Sequence, residues 1–170
     1  MDKIKNLSDQ LAIKKLQDMA TAIRVCMFFT HDRLQKEQGR PMSVAGVDEE
    51  GAIWFLSGKN SEKVGAIKSD DNVHLVFSHP GKEMYLDLYG EASLSADKNK
   101  IEEYWTPLAK AWFPQGISDP NICLIAVKPI KGNYWDTQHG KMVELLKIVS
   151  SAVTGVKAGD GESGEIALAY

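Results

Sequence analysis

Short strand-type runs, joined mostly by turns, constrain the fold of this chain more than any other feature. Aromatic, β-branched and other apolar residues mark these runs at 25–30, 41–47, 52–57, 73–78, 84–94, 122–127 and 130–135. Residues 85–89 alternate strictly, which is typical of a strand with two different faces. A doubly wound parallel sheet would need a helix between most strands. The pattern therefore predicts a mainly β (α+β) protein, an antiparallel barrel of six to seven strands with peripheral helices.

Turn residues predict how these strands are connected. Runs 41–47 and 52–57 form a hairpin across an acidic turn, and runs 73–78 and 84–94 form a second hairpin across His79-Pro80-Gly81. The polar segment 31–39 is predicted to be a loop. A second loop, 112–120, is punctuated by Pro and Gly and is expected to leave Trp112 and Phe113 at the surface.

Four segments predict the peripheral helices. They are 7–23 with Ser8 as N-cap, a short helix that begins after Ser61, a helix capped by Asp97, and the amphipathic segment 139–154 that Gly155 ends. The third helix carries one apolar stripe, made of Ile101, Tyr104, Trp105 and Leu108. The tail 156–170 is rich in Gly and charge, so we predict one domain over 1–155 and a flexible C-terminal tail.

Composition narrows the class of protein. The 170 residues suit one domain, and 44% hydrophobic with 25% charged residues is ordinary for a globular protein. A net charge of −3, with basic residues scattered along the chain, gives no reason to expect nucleic acid as a partner. There is no apolar run of the ~20 residues that a membrane helix needs and no signal-type N-terminus, so we expect a cytoplasmic protein without a membrane partner.

Neither a metal site nor covalent catalysis is predicted. Cys26 and Cys123 lie in apolar runs, where they are expected to be buried, reduced thiols. The four histidines lack the spacing of a zinc site. No nucleophile with a suggestive base partner is found, so the catalytic residues are unknown. This does not exclude an enzyme, because a bound redox cofactor would bring its own chemistry.

The segment from Arg40 to Lys63 is the candidate binding site. It places Arg40 on one strand, Ser57 at the end of the next, and Ser61 and Lys63 at the start of a helix. A helix N-terminus offers unpaired N–H groups to a phosphate, and Arg can clamp phosphate oxygens in bidentate fashion. Large apolar residues beside these groups suit a flat ring. The combination points to flavin mononucleotide (FMN).

Lys63 adds an independent argument for a bound anion. A cation in the first turn of a helix is unfavourable for the helix dipole. A phosphate at the same place would explain the charge.

An ordered series of motifs resembles the pyridoxamine-phosphate-oxidase-like, FMN-binding split β-barrel superfamily, and within it the bacterial general stress protein branch. The motifs are Arg40-Pro41-Met42, Phe55-Leu56-Ser57, Ser61-Glu62-Lys63, 85–90, 112–116, Asp119-Pro120 and Tyr134-Trp135. The resemblance spans about 11–155 and implies a Greek-key split barrel that forms a homodimer with FMN at the interface; FAD and a deazaflavin are alternative cofactors. The cofactor-binding residues that it implies, together with those chosen above, are Arg40, Pro41, Met42, Phe55, Leu56, Ser57, Ser61, Glu62, Lys63, Tyr85, Trp112 and Trp135.

Three of these residues carry specific expectations. Tyr85 occupies the position where the related oxidases use a Gln to touch the flavin, so the contact would be chemically changed. Trp112 is a large aromatic residue in a loop and is expected to pack against a dimer interface, a ring ligand or the protein's own surface. Trp135 matches the family's Trp that reaches the flavin from the neighbouring subunit; a place in the core or the interface is the alternative.

The resemblance also separates the possible functions. The related oxidases hold their substrate phosphate partly through an Arg-x-His cluster, and residues 138–141 here read Gln-His-Gly-Lys. We therefore expect no pyridoxine-phosphate oxidase activity. The chain is expected to be an FMN-dependent oxidoreductase with an unknown small substrate and a reduced nicotinamide donor. The alternatives are a non-enzymatic stress protein that sequesters flavin, or a haem or deazaflavin binder.

Overall fold

Residues 3–4, 7–136 and 162–167 are described by the computed structural model. Ten strands lie in these ranges: β1 Lys3–Ile4, β2 Leu7–Ser8, β3 Val25–His31, β4 Glu37–Ser43, β5 Gly46–Val47, β6 Ile53–Gly58, β7 Asn72–His79, β8 Met84–Ser95, β9 Ile122–Asp136 and β10 Glu162–Ala167. The helices are α1 Asp9–Ile23, α2 Glu62–Ser69 and α3 Lys98–Glu103, with 3-10 turns at Pro80–Lys82, Pro107–Ala111 and Gly116–Ser118.

The strands form a curled, mostly antiparallel half-barrel. Strands β10, β9, β8, β7, β3 and β4 follow one another across the sheet, and β6 pairs with the first half of β9, while β10 pairs with its second half. Strands β4 and β6 approach each other without pairing, so the barrel stays split between them. Seven of the described strands have six residues or more, which confirms the predicted split barrel of six to seven strands.

Two apolar clusters lie on the two faces of the sheet. The interior cluster contains Phe28, Phe55 and Leu88, and α1 covers it with Leu16 and Met19. A second cluster covers the outer face of β6 and the first half of β9. Its members are Trp54, Ile101, Ala109, Phe113, Ile122, Leu124 and Ala126. Side chains on β6 and β9 therefore alternate between the two clusters, as strand geometry requires.

Strand β9 is one continuous strand, although the sequence predicts two strands, 122–127 and 130–135. The register with β8 shifts between Tyr89 and Gly90, and Pro129 faces Gly90 at this irregularity. A bulge is a position where a sheet tolerates a proline, which cannot donate to the ladder. Gly90 is needed here because an added Cβ would lie 2.5 Å from the Lys128 carbonyl oxygen.

The predicted hairpin of 41–47 with 52–57 is confirmed only for Gly46–Val47 with Ile53 and Trp54, and is wrong for residues 41–43. Strand β4 pairs along its whole length with β3, and only Gly46–Val47 pairs with β6. Between them the chain crosses over: the Val44 amide donates to the Arg24 carbonyl, and the Ala45 amide to the Trp54 carbonyl. The loop predicted at 31–39 is correspondingly shorter, because Glu37–Gly39 belong to β4. The second predicted hairpin, β7 with β8, is confirmed.

Helix α3 ends sooner than predicted. Asp97 caps it, as expected, by accepting from the amides of Asn99 and Lys100. The helix stops at Glu103, four residues before Pro107, and Thr106, which directly precedes the proline, is extended because that position disfavours helical geometry. Leu108, predicted on the apolar stripe, is instead 73% exposed.

Part of the predicted tail lies within the described residues. Residues Glu162–Ala167 form β10, which pairs with β9 residues Lys131–Asp136, and Ile166 is buried in the interior cluster. The backbone donors and acceptors of this stretch are thus used in the sheet. The helix predicted at 139–154 lies outside the described residues.

Candidate functional site

The split between β4 and β6 brings the two predicted cations together. Arg40 pairs across β4 and β3 with Phe28, a residue of the interior cluster, so its side chain points to the inside of the half-barrel. Lys63 lies in the first turn of α2, which directly follows β6. Both side chains are half-buried. Their charges are close enough for the positive charge of Arg40 to lower the pKa of Lys63.

The guanidinium of Arg40 is anchored to the neighbouring strand. Its Nη1 donates to the Phe28 carbonyl oxygen at 3.2 Å and to Thr30 Oγ1 at 2.8 Å. Thr30 is only 1% exposed, so the anchor is rigid and dry. Arg carries five N–H donors in a fixed fork, and both contacts use the same nitrogen. The remaining donors are available to a ligand.

Two hydroxyls lie at the start of α2. Ser57 Oγ and Ser61 Oγ are 3.2 Å apart, and Ser57 is 3% exposed. Ser61 is the N-cap, as predicted, with φ −74° and ψ 152°, but its side chain forms no capping hydrogen bond to the helix. Its hydroxyl is engaged with Ser57 instead, so the helix amides are not covered by this side chain. We call Arg40, Ser57, Ser61 and Lys63 the cationic site.

Burial makes the positive charge of the cationic site costly. Loss of water lowers the pKa of Arg40 from its ordinary value, an effect that the Glu62 carboxylate partly opposes. Loss of water also lowers the pKa of Lys63, and the neighbouring Arg40 lowers it further. Lys63 forms no ion pair with a carboxylate in the part of the chain that the structure describes. An anion bound between the two cations would relieve both costs.

Cys123 forms part of the floor of the cationic site. It is the cross-strand partner of Ser57 on β9, and it is 3% exposed. Burial raises the pKa of its thiol, while the nearby Lys59, Lys63 and Lys68 act in the opposite direction. Cys26 is buried too, and burial raises its pKa to about 12. Both cysteines are free thiols inside the fold, as the sequence predicts.

The other predicted residues of the Arg40–Lys63 segment have different positions. Pro41 is exposed on the outer face, opposite Met27, whereas Met42 packs against the interior cluster. Phe55 is fully buried in that cluster, and Leu56 packs against the second one. The Phe55 side chain is therefore closed to a ligand, and the partly buried Leu56 side chain lies on the face of β6 opposite to Ser57.

Tyr85 and Trp135 form a separate pair on the outer face of the barrel. They are cross-strand partners on β8 and β9, and they are 39% and 46% exposed. Trp135 lies near the far end of β9, twelve residues and ~40 Å along the strand from Cys123, which faces Ser57. Arg40 also points to the opposite face. Within one chain the structure does not bring Trp135 to the cationic site.

Trp112 is likewise not brought to the cationic site. It is 72% exposed, in the loop whose next residue, Phe113, is buried in the second cluster. That cluster lies on the face of β6 and β9 opposite to Ser57 and Cys123. The expectation that both aromatics lie at the surface thus holds for Trp112 and is wrong for Phe113.

Two kinds of feature are absent from the described ranges, a membrane-spanning helix and a metal-binding cluster. No helix there is both long enough and apolar enough to traverse a bilayer. No three His, Cys, Asp or Glu side chains of the same residues are placed so that they could hold a metal ion.

The sequence did not predict that Thr30 and Cys123 belong to the cationic site. Thr30 anchors Arg40 and Cys123 faces Ser57. A signal for Thr30 does exist: it continues the buried alternation of Cys26 and Phe28 on β3, so a polar group is placed at an inward position. Only the strand pairing, however, shows which polar partner it meets.

Comparison with known proteins points to the family that the motifs resemble. The family model described as "pyridoxamine 5'-phosphate oxidase like" matches residues 11–159. The protein bli-3 of Neurospora crassa is 23% identical over 156 residues, covering 86% of this chain and 75% of that protein.

Solved structures extend the comparison to the fold. A protein assigned as general stress protein 26 from Jannaschia sp. CCS1 superposes with a TM-score of 0.78 at 26% identity, covering 94% of this chain and 99% of its own. The general stress FMN/FAD binding protein of Xanthomonas citri superposes with a TM-score of 0.64 at 22% identity, covering 76% and 91%. At that identity, the second likeness concerns the fold alone.

Proposed function

This chain belongs to the pyridoxamine 5'-phosphate oxidase-like family, and on that premise we propose that it binds FMN through the flavin phosphate at the cationic site. The observation that carries the proposal is the pair of half-buried cations, Arg40 and Lys63, beside two hydroxyls at the start of α2. Two neighbouring cations that have lost part of their hydration are costly unless an anion binds between them.

The individual groups suit a phosphate monoester. Arg40 offers a fixed fork, Lys63 a compact charge, and Ser61 a hydroxyl, while the first turn of α2 adds the positive end of the helix dipole. Backbone of Pro41 and Met42 would line the flavin ring, which supports a ligand that is charged at one end and flat at the other. The bound flavin would supply the redox chemistry, and these residues would bind and orient it.

We further propose that two copies of the chain associate through the outer face of β3, β7, β8 and β9. The half-exposed apolar residues of this face are Val25, Met27, Tyr85, Tyr89 and Trp135. Exposed large apolar side chains gathered on one face of a sheet are typical of an interaction surface. Because Trp135 lies far from the cationic site of its own chain, a partner is also the simplest way for it to reach a flavin.

Stacked rings and a polar contact connect the side chains at the centre of this outer face. The His74 ring stacks on Tyr89, with centroids 4.2 Å apart and planes at 1°, and on Phe29 at 5.4 Å. His74 Nε2 contacts a carboxylate oxygen of Asp87, which satisfies the polar edge of the ring. Aromatic side chains are enriched in protein interfaces, which supports burial of this face against a second copy.

The test of FMN binding begins with the purified protein. Its absorption spectrum should show a flavin, and the molecule released on denaturation should have the mass of FMN. Chain stripped of ligand should quench FMN fluorescence on titration and should bind FMN more tightly than riboflavin. A ligand-free spectrum together with equal or absent binding of both flavins would contradict the proposal.

A reductive test separates an oxidoreductase, which we propose, from a protein that only sequesters flavin. Under anaerobic conditions NADH or NADPH is added to the FMN-loaded protein and the flavin absorbance is followed. Reduction at about one per second or faster, followed by reoxidation by a small acceptor, supports the enzyme. Bound flavin that neither donor reduces at a useful rate supports the sequestering protein.

A further inference from the structure

We infer that Glu62 is a specificity-determining residue. Its negative charge lowers the affinity of the cationic site for a doubly charged phosphate, and FMN is therefore exchangeable. The inference rests on the proposed function, because it concerns the same site. Glu62 is the first residue of α2, between Ser61 and Lys63. Residues 57–63 supply Ser57, Ser61 and Lys63 to the cationic site, and Glu62 is the one carboxylate in this stretch of sequence.

Three charges share this small region. The carboxylate of Glu62 acts on Arg40, which in turn acts on Lys63. In the described part of the chain, Glu62 forms no ion pair with either cation. Its exposed side chain therefore contributes a field at the site rather than a fixed contact.

That field opposes any phosphate that enters. Arg40 and Lys63 contribute two positive charges, and the negative charge of Glu62 offsets one of them. A phosphate monoester carries about −1.5 to −2 at neutral pH, so Glu62 repels FMN more than a ligand with less charge. Riboflavin, which has no phosphate, does not meet this repulsion. Glu62 therefore controls the ratio of FMN affinity to riboflavin affinity.

Glu62 has a second effect that a test must separate from the first. A carboxylate in the first turn of a helix is favourable for the helix dipole, so its removal tends to destabilise α2. A purely structural role would therefore weaken FMN and riboflavin alike when Glu62 is changed. The inferred role predicts stronger binding of FMN alone.

The experiment compares FMN and riboflavin binding for the unmodified chain and for Glu62→Gln. We expect FMN to bind about fivefold more tightly to the variant, the size of one exposed charge effect, and riboflavin to be unchanged. The gain should shrink at high salt, which screens exposed charges. Glu62→Asp, which keeps the charge, should behave like the unmodified chain.

Glu49→Gln is the matched control. Glu49 is equally exposed, but it lies in the turn before β6, at the other end of that strand from Ser57. The Glu49→Gln substitution removes the same charge from the molecule as Glu62→Gln and should leave FMN affinity unaltered. Equal FMN affinity for Glu62→Gln and the unmodified chain, or a gain matched by Glu49→Gln, would refute the inference alone. Failure of the unmodified chain to bind FMN would refute the proposed function as well.

Discussion

Replacing Lys63 with Ala should weaken FMN binding strongly and riboflavin binding hardly at all. A charge-assisted hydrogen bond to the phosphate contributes about 1.5–3 kcal/mol, which corresponds to about 10- to 150-fold in affinity. The structure sharpens this expectation. Lys63 has no carboxylate partner among the described residues, and the charge of Arg40 disfavours it, so the substitution removes no stabilising ion pair. The ligand-free variant should therefore unfold at the same temperature as the unmodified protein, or slightly higher.

Fluorescence titration of both flavins, with thermal unfolding of each ligand-free protein, provides the assay. Lys68→Ala is the control, because Lys68 is an exposed lysine in the last turn of the same helix. It should change FMN affinity only by the small amount typical of a surface charge. Equal losses for FMN and riboflavin in Lys63→Ala would show that Lys63 acts through the fold, and would refute the assignment of the phosphate to this site.

Three further predictions address the interface, the buried thiol and the reaction. The unmodified chain should be a homodimer by light scattering at micromolar concentration, and Met27→Glu on the outer face should make it a monomer; a monomeric unmodified chain would contradict this. Because burial raises the pKa of Cys26 from 9.0 to about 12, the thiol favours folding below its unfolded pKa, and that contribution is lost as the pH rises. By pH 10 the loss reaches about 1.4 kcal/mol in the free energy of unfolding, measured with urea. Cys26→Ala should lack this component, and an identical alkaline decline in both proteins would contradict it. Finally, the FMN-loaded protein should not form pyridoxal phosphate from pyridoxine or pyridoxamine phosphate under air, and a turnover near one per second would overturn that expectation.

Local signals predicted the part of the site that lies on consecutive residues. Ser61 and Lys63 were placed at the start of a helix because a cap residue and an amphipathic run are visible over a few positions. The caps of α2 and α3, the β7–β8 hairpin and the buried cysteines follow from the same kind of short-range pattern. Such features depend on residues that are close to one another in the sequence.

Pairing between distant strands could not be predicted in this way. The sequence favours a hairpin of 41–47 with 52–57, since they are adjacent in the chain, whereas Arg40 is positioned by β3. Its anchor, Thr30, lies ten residues earlier. Strand register depends on which faces are buried together, and a shift of one residue would move Arg40 from the inside to the outside. Similarly, Pro129 suggests the end of a strand until the bulge at Gly90 accommodates it.

A crystal structure of the chain with FMN tests the central claim most directly. Our account predicts phosphate oxygens about 3 Å from nitrogens of Arg40 and Lys63 and from Ser61 Oγ, with the ring beside the backbone of Pro41 and Met42. It also predicts Trp135 of a second copy close to the same flavin. A flavin seated elsewhere, for example against Trp112, or a phosphate that touches neither cation, would contradict it.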